Sequence, residues 1–406
     1  MGAKSRDRVK PFYAVEINRL AHALARQGRD VIHMEVGQPS AGAPQAALEA
    51  AARAMRTDRL GYWESAQLRE RISRHYADWY GVQLAPDRVI LTPGASGALL
   101  LAFTVLLEPG DRVALGRPGY PAYRNVLYAL GMHPVELPCG PETRFQPTAD
   151  MIDALDPVPA ALMVASPANP TGTMLGRQEL EAIAAVCRRR GIVLISDEIY
   201  HGITYGERAV SALELDESAI VINSFSKYWC MTGWRLGWLV APGELVEAMN
   251  TYSGNIFLTP SALSQHAALA AMDAEDELAG HLDTYAENRR LVMSTFAGLG
   301  LTGLAPADGA FYVYANIGHL TDDSLGFCKQ LLADTGVAFN TGLDFDPVEG
   351  HRTLRVSFAV SREEAREAMR RFETWLGTSS PPAERGPVGA CLEPRDPGTP
   401  GHVEEW

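Results

Sequence analysis

Lysine is almost missing from this 406-residue chain. Lys4, Lys10, Lys227 and Lys329 are all it has, and the other 32 of its 36 basic residues are arginine. Between Lys10 and Lys329, arginine serves everywhere except at Lys227. Arginine keeps its proton in a protein, whereas a lysine that is buried or set beside other cations can lose it. An amine kept at one place in an arginine-only stretch marks a candidate nucleophile.

Cysteine is sparse too. Cys139, Cys187, Cys230, Cys328 and Cys391 are scattered without a Cys-x-x-Cys spacing, which indicates free thiols in a reducing compartment. The histidines, His201 included, show no metal-ligand spacing, so no metal is expected. Long apolar runs are lacking, and the longest, ALLLAFTVLL at 98–107, is too short to span a bilayer. The opening MGAKSRDRVKPFYAVEI has no signal-peptide core, and Arg6 stands where a myristoylation signal has Ser or Thr. A net charge of −13 argues against non-specific nucleic-acid binding. These features indicate a soluble, cytoplasmic protein with no membrane or nucleic-acid partner.

What the chain does have is alternation. Short β-rich runs at 88–92, 112–116, 161–166, 192–197, 219–223 and 237–241 are separated by helical stretches such as 178–190, closed by Gly191. That order predicts an α/β protein with a mainly parallel sheet flanked by helices. From about Leu301 the pattern changes. GAFYVYANI and HRTLRVSFA predict strands, and SREEAREAMRRFETWL predicts an amphipathic helix opened by Ser361. A smaller α+β domain is therefore expected, built from the N- and C-terminal segments. The expected division is 1–45 packing with the small domain, 46–299 as the large domain, 300–376 as the small one, and 377–406 as a disordered, Pro/Gly-rich tail.

Three stretches carry chemistry-bearing residues. In RVILTPGASGALLL a strand runs through a turn of small residues into a helix, an arrangement whose free amides suit phosphate. It has neither the P-loop ending nor a full GxGxxG. In IVLISDEIYHGI an apolar strand ends on Asp197, where parallel sheets place their ligands, and a carboxylate there needs a cationic partner. In LMVASPANPTG a buried strand runs into Asn169.

Together with SFSKYWCMTGWRLGW (224–238), these stretches resemble the fold-type I pyridoxal-phosphate enzymes, specifically the class I, aspartate aminotransferase-like family, over roughly residues 10–376. The 224–238 stretch is similar to the family's SxSKxxxMTGWRxG, and ANPTG and SDEIY follow its order and spacing. The resemblance implies pyridoxal 5′-phosphate and exchange of an amino group between an α-amino acid and a 2-oxo acid by a ping-pong route. Lys227 would hold the cofactor through its amine and then carry the substrate proton. Asp197 would pair with the ring nitrogen, Asn169 and Tyr200 would bond the ring's 3′-oxygen, and Tyr120 would stack on the ring. Gly94, Ala95 and Ser96, with Ser224 and Arg235, would take the phosphate. Arg355 would clamp the substrate α-carboxylate, with Gly37 and Asn169 beside it. Tyr62 would reach the cofactor phosphate of a partner subunit, implying a homodimer with shared sites.

Departures bear on substrate. GYWESAQLRERI is about three residues shorter than the family's stretch and lacks its Gly-x-Pro. TYSGNIFLTP, where aspartate-specific members carry a second arginine, has none, which favours neutral side chains. Two other readings keep this fold: a β-eliminating lyase, in which MTGWR is expected to be altered, and a ligand-sensing regulator, which carries a DNA-binding domain ahead of the likeness.

Overall fold

The computed structural model describes residues 9–301 and 303–378. Among the described residues the strands are β1 Ile32–His33, β2 Val89–Thr92, β3 Arg112–Arg117, β4 His133–Pro138, β5 Ala161–Ala165, β6 Val193–Asp197, β7 Ile220–Ser224, β8 Gly237–Val240, β9 Tyr312–Asn316, β10 Val337–Ala338, β11 Asn340–Thr341 and β12 Thr353–Ser357. Seven form one sheet in the order β2-β8-β7-β6-β5-β3-β4. From β4 to β7 neighbours run parallel, and β8 runs against both β7 and β2.

Alternation along these strands feeds two cores. Leu91, Ala114, Leu162, Leu194 and Val221 face one side, and Ile90, Val113, Met163, Ile195 and Ile222 face the other. Both faces are thus apolar, as strands covered by helices on each side require. The helix Arg177–Arg190 lies on the first side and ends at Gly191, whose φ of +67° closes it. The helix Gly94–Leu106 lies on the second. β4, missed by the periodicity, contains Pro134 and Pro138, which a strand tolerates because β4 is the sheet's edge.

The smaller unit holds the three-stranded antiparallel sheet β11-β12-β9 and the pair β1-β10. The N-terminal helix Tyr13–Arg26 joins it, placing Ile17 and Ala21 in one core with Leu331, Val356 and Phe372. Ser361 and Glu364 cap each other's backbone amides at the start of the final helix, Arg362–Thr378. That helix enters the first two residues of the 377–406 segment, and 379–406 lie outside the described residues.

One loop joins the two units. Asp344 accepts the amides of Tyr13 and Ala14 at 2.7 and 2.9 Å, capping a helix whose own N-cap, Phe12, has no side-chain acceptor. The Asp344 carbonyl accepts from Arg124 at 3.2 Å. Next along the chain, the Phe345 carbonyl accepts the Gly119 amide at 3.1 Å, and Asp346 lies 3.4 Å from Arg117.

Candidate active site

Asp197 is the last residue of β6 and is buried. Tyr123 donates to its Oδ2 at 2.6 Å and the Ile199 amide to its Oδ1 at 3.0 Å. Burial pushes its pKa up, and the Tyr123 hydroxyl, the Ile199 amide and Lys227 pull it back. Tyr120, three residues before Tyr123, sits at the N-cap of the helix Pro121–Ala129 and meets the Tyr123 ring edge-on at 5.4 Å.

Lys227 follows β7. Its Nζ donates to the Gly37 carbonyl at 2.5 Å and stands 5.9 Å from the ring centres of Tyr200 and Phe311. Burial, then Arg355 and Arg235, lower its pKa from 10.5 to about 8, with Asp197 opposing. The arginine-rich background that made this lysine conspicuous in the sequence includes two of the charges that loosen its proton.

Arg355 is buried on β12. Its Nη1 donates to Asn169 Oδ1 at 2.9 Å and its Nη2 to the Glu35 carbonyl at 2.6 Å. Its guanidinium lies 4.4 Å from the ring centre of Tyr312 and 4.7 Å from that of Phe345. The Tyr312 and Tyr200 hydroxyls share a hydrogen bond at 2.6 Å. Gly37 packs so closely on the Tyr312 hydroxyl that any Cβ would overlap it.

The helix that follows the small-residue turn begins at Gly94, whose φ is +72°. Its N-cap, Pro93, offers no side-chain acceptor, so the first amides are unpaired by a cap. A Cβ on Gly94 would stand 2.6 Å from Nη2 of Arg235. Ala95 is half-buried and Ser96 exposed. The Ser224 hydroxyl is turned inward, 3.0 Å from the Leu236 carbonyl and 2.9 Å from Ser226 Oγ.

Lys227, Asp197, Asn169, Tyr200, Arg355 and Gly37 thus come together, with Tyr120 at their edge. Tyr62 stays apart, 84% exposed on the outer surface. His201 is buried between Tyr80 Oη and the Ser166 carbonyl.

Tyr123, Tyr312 and Glu35 were not singled out by sequence. Tyr123 carried a readable signal, since three residues from a helix's N-cap put it on the face that Tyr120 begins. Tyr312 alternates with Phe311 and Val313 in an apolar strand, and nothing in that pattern separates it from core.

A model of the family described as aminotransferase class I and II matches residues 29–372. A valine–pyruvate aminotransferase of Mycobacterium tuberculosis is 47% identical over 91% of this chain and 97% of its own. An aspartate/prephenate aminotransferase of Thermus thermophilus is 32% identical over 91% and 97%. The solved structure of an aminotransferase from Mycobacterium tuberculosis matches with a TM-score of 0.91 at 46% identity, over 93% of this chain and all of that one. The chain belongs to the class I and II aminotransferases.

The aminotransferase is an enzyme that moves an amino group between an α-amino acid and a 2-oxo acid, so the lyase and regulator readings fall away. Its family implies pyridoxal phosphate, and the residues present fit that group. Arg235 lies against the positive end of a helix, a pair of like charges that suits an anion between them. Asp197 is a buried carboxylate hydrogen-bonded only to uncharged donors among the described residues, which leaves it a match for a cationic ring nitrogen.

Proposed function

We propose that the aminotransferase acts on α-amino acids with neutral, apolar side chains, using pyridoxal phosphate held on Lys227. Bound there, the cofactor supplies the electron sink for bond breaking at the substrate α-carbon. Asp197 would keep the ring nitrogen protonated, Asn169 and Tyr200 would hydrogen-bond the 3′-oxygen, and Tyr120 would cover the ring. Gly94, Ala95 and Ser96 present amides to the phosphate, with Arg235 and Ser224 alongside. Lys227, whose amine is half neutral at about pH 8, takes and returns the proton at the α-carbon. Arg355 uses two of its five N–H groups on Asn169 and Glu35, leaving three for a carboxylate. The amino group rests on the enzyme between two half-reactions, a ping-pong order.

The observation that carries the neutral-donor reading is what surrounds Arg355. Tyr312 and Phe345 wall its guanidinium, and the nearby Arg117 and Arg124 are already paired with Asp346 and Glu136. Residues 251–260 contain no arginine to serve a distal carboxylate. Similarity to a protein named for valine and pyruvate supports the same reading. A screen of amino donors against pyruvate, read as kcat/KM, tests it. A neutral aliphatic donor should lead. An aspartate preference above about a hundredfold, the scale of one buried charge pair, overturns it.

The homodimer reading rests on exposed apolar side chains. Tyr62 and Trp63 sit on one loop and Leu258 on another, and Gln265 hydrogen-bonds both loops, through the Trp63 and Pro260 carbonyls at 3.0 Å each. A second copy covering this surface would bring Tyr62 to its own cofactor phosphate. The division at residues 45, 299 and 376 is supported by the sheets: β2 to β8 form the seven-stranded sheet, whereas β9, β11 and β12 form the three-stranded one and β1 pairs with β10. A cytoplasmic location is supported by Cys139, Cys187, Cys230 and Cys328, all unbridged and buried. Among the described residues no helix is long and apolar enough to cross a membrane.

A further inference from the structure

Glu35 is fully buried, and the reading of the site so far uses only its main chain. Its Oε1 accepts from Asn18 Nδ2 at 2.7 Å and lies 2.9 Å from His33 Nδ1. Its Oε2 is buried without a hydrogen-bond partner. A carboxylate with an orphaned oxygen is a costly way to fill space, since an apolar side chain would pack there without desolvating a charge.

The backbone around Glu35 explains what the side chain is for. The ladder holding this segment ends just before it: the Met34 amide donates to Ala338 at 3.1 Å, and the Ser357 amide donates to the Met34 carbonyl at 2.8 Å. Beyond Met34 the chain has left β1 and its flanking hydrogen bonds, and within three residues it offers two carbonyls to the active site. Glu35 gives one to Arg355 Nη2, and Gly37 gives one to Lys227 Nζ. The side chain of Glu35 is what fastens this stretch from behind, to Asn18 on the N-terminal helix and to His33.

We propose that Glu35 is a positioning residue for substrate binding: its side-chain anchorage to Asn18 and His33 sets its own carbonyl on Arg355 and so fixes the orientation of the carboxylate fork. The proposal rests on Arg355 being that fork. The fork's rigidity governs how well it holds a carboxylate, while bond breaking at the α-carbon depends on Lys227 and Asp197. Loss of the anchor therefore appears in KM rather than kcat.

The test uses the cofactor-loaded enzyme and the variants Glu35→Ala, Glu35→Gln, Asn18→Ala and Arg355→Lys. KM and kcat are measured for the best neutral donor, with the inhibition constant of propionate, which has a carboxylate and no amine. Glu35→Ala should raise KM and the propionate constant about tenfold, the worth of one hydrogen bond to a charged group, with kcat within about threefold. Glu35→Gln keeps an acceptor for Asn18 and should restore both constants to near the parent's. If Glu35→Ala does not fold, Asn18→Ala decides, with a rise in KM of about threefold or more supporting the proposal. A parental KM in the deciding variant, or a loss confined to kcat, overturns it. Arg355→Lys separates the two readings. A raised KM there beside a parental KM in Glu35→Ala removes the role of Glu35 alone, and an unchanged KM in Arg355→Lys removes the fork itself.

Discussion

At the scale of single residues, the active site is a set of charges taken out of water and left in tension. Lys227 is pressed towards neutrality by burial and by Arg355 and Arg235. Its folded pKa lies below the free value, so between about pH 8 and 10.5 its amine is free in this protein while an ordinary lysine is still charged. The rate at which cofactor-free enzyme takes up pyridoxal phosphate into its lysine-bound absorbance should therefore climb as pH rises through about 8 and then level off. A rise centred near 10 would mean that neither burial nor the surrounding arginines act on Lys227. Residues of this kind were legible in the sequence because the chemistry admits so few substitutes for them. Lys227 stood out against arginine, and Asp197 against the apolar strand before it. Their supports were not legible. Tyr123 holds Asp197 and Tyr312 carries Arg355, yet a tyrosine that orients a charge has the same sequence signature as one that fills a core.

At the scale of elements, one glycine shows how closely sheet and helix are joined. A Cβ on Gly237, the first residue of β8, would stand 2.7 Å from the Asn223 carbonyl oxygen, 2.8 Å from the Gly94 carbonyl carbon and 2.9 Å from the Ala95 nitrogen. All three are backbone atoms and none can swing aside. Gly237→Ala should push the start of the helix Gly94–Leu106 away from β8, costing on the order of 1–3 kcal/mol of stability. Cofactor should also be retained less well on dialysis, because the displaced amides are those proposed for the phosphate. A lowered melting temperature with parental retention would separate the packing from the cradle. Six of the seven strands of the large sheet were legible from their apolar runs, within a residue or two at each end. The antiparallel direction of β8 was not, since direction depends on the path between strands rather than on the strands themselves. β4 was hidden by the two prolines that only an edge position permits.

At the scale of the whole molecule, the exposure of Tyr62 is the feature that asks for a partner. It lies on a surface loop, and the role proposed for it needs another subunit's site. Tyr62→Ala and Lys227→Ala homodimers should each be impaired. Mixed under subunit exchange, they should form heterodimers in which one site has both residues intact. Activity of the exchanged mixture should then rise above the mean of its parents, and activity equal to that mean, with exchange verified by mass spectrometry, would confine Tyr62 to its own chain. The sequence held the tyrosine and the shortened loop behind it. It did not hold the outcome, because a surface is created by how distant segments meet.

Asp344 also sets an order of events during synthesis. It caps the helix Tyr13–Arg26 from 331 residues downstream. On a ribosome adding about 5–20 residues per second, that helix emerges with its first turn unpaired and waits tens of seconds for its cap. The large sheet can close around β5, β6 and β7 in the meantime, since its seven strands are complete by Val240. The nascent enzyme thus acquires Asp197 and the start of the helix Gly94–Leu106 before it acquires Arg355. A chain stalled before residue 344 would hold Lys227 and Asp197 and lack Arg355, the residue proposed to grip the amino acid.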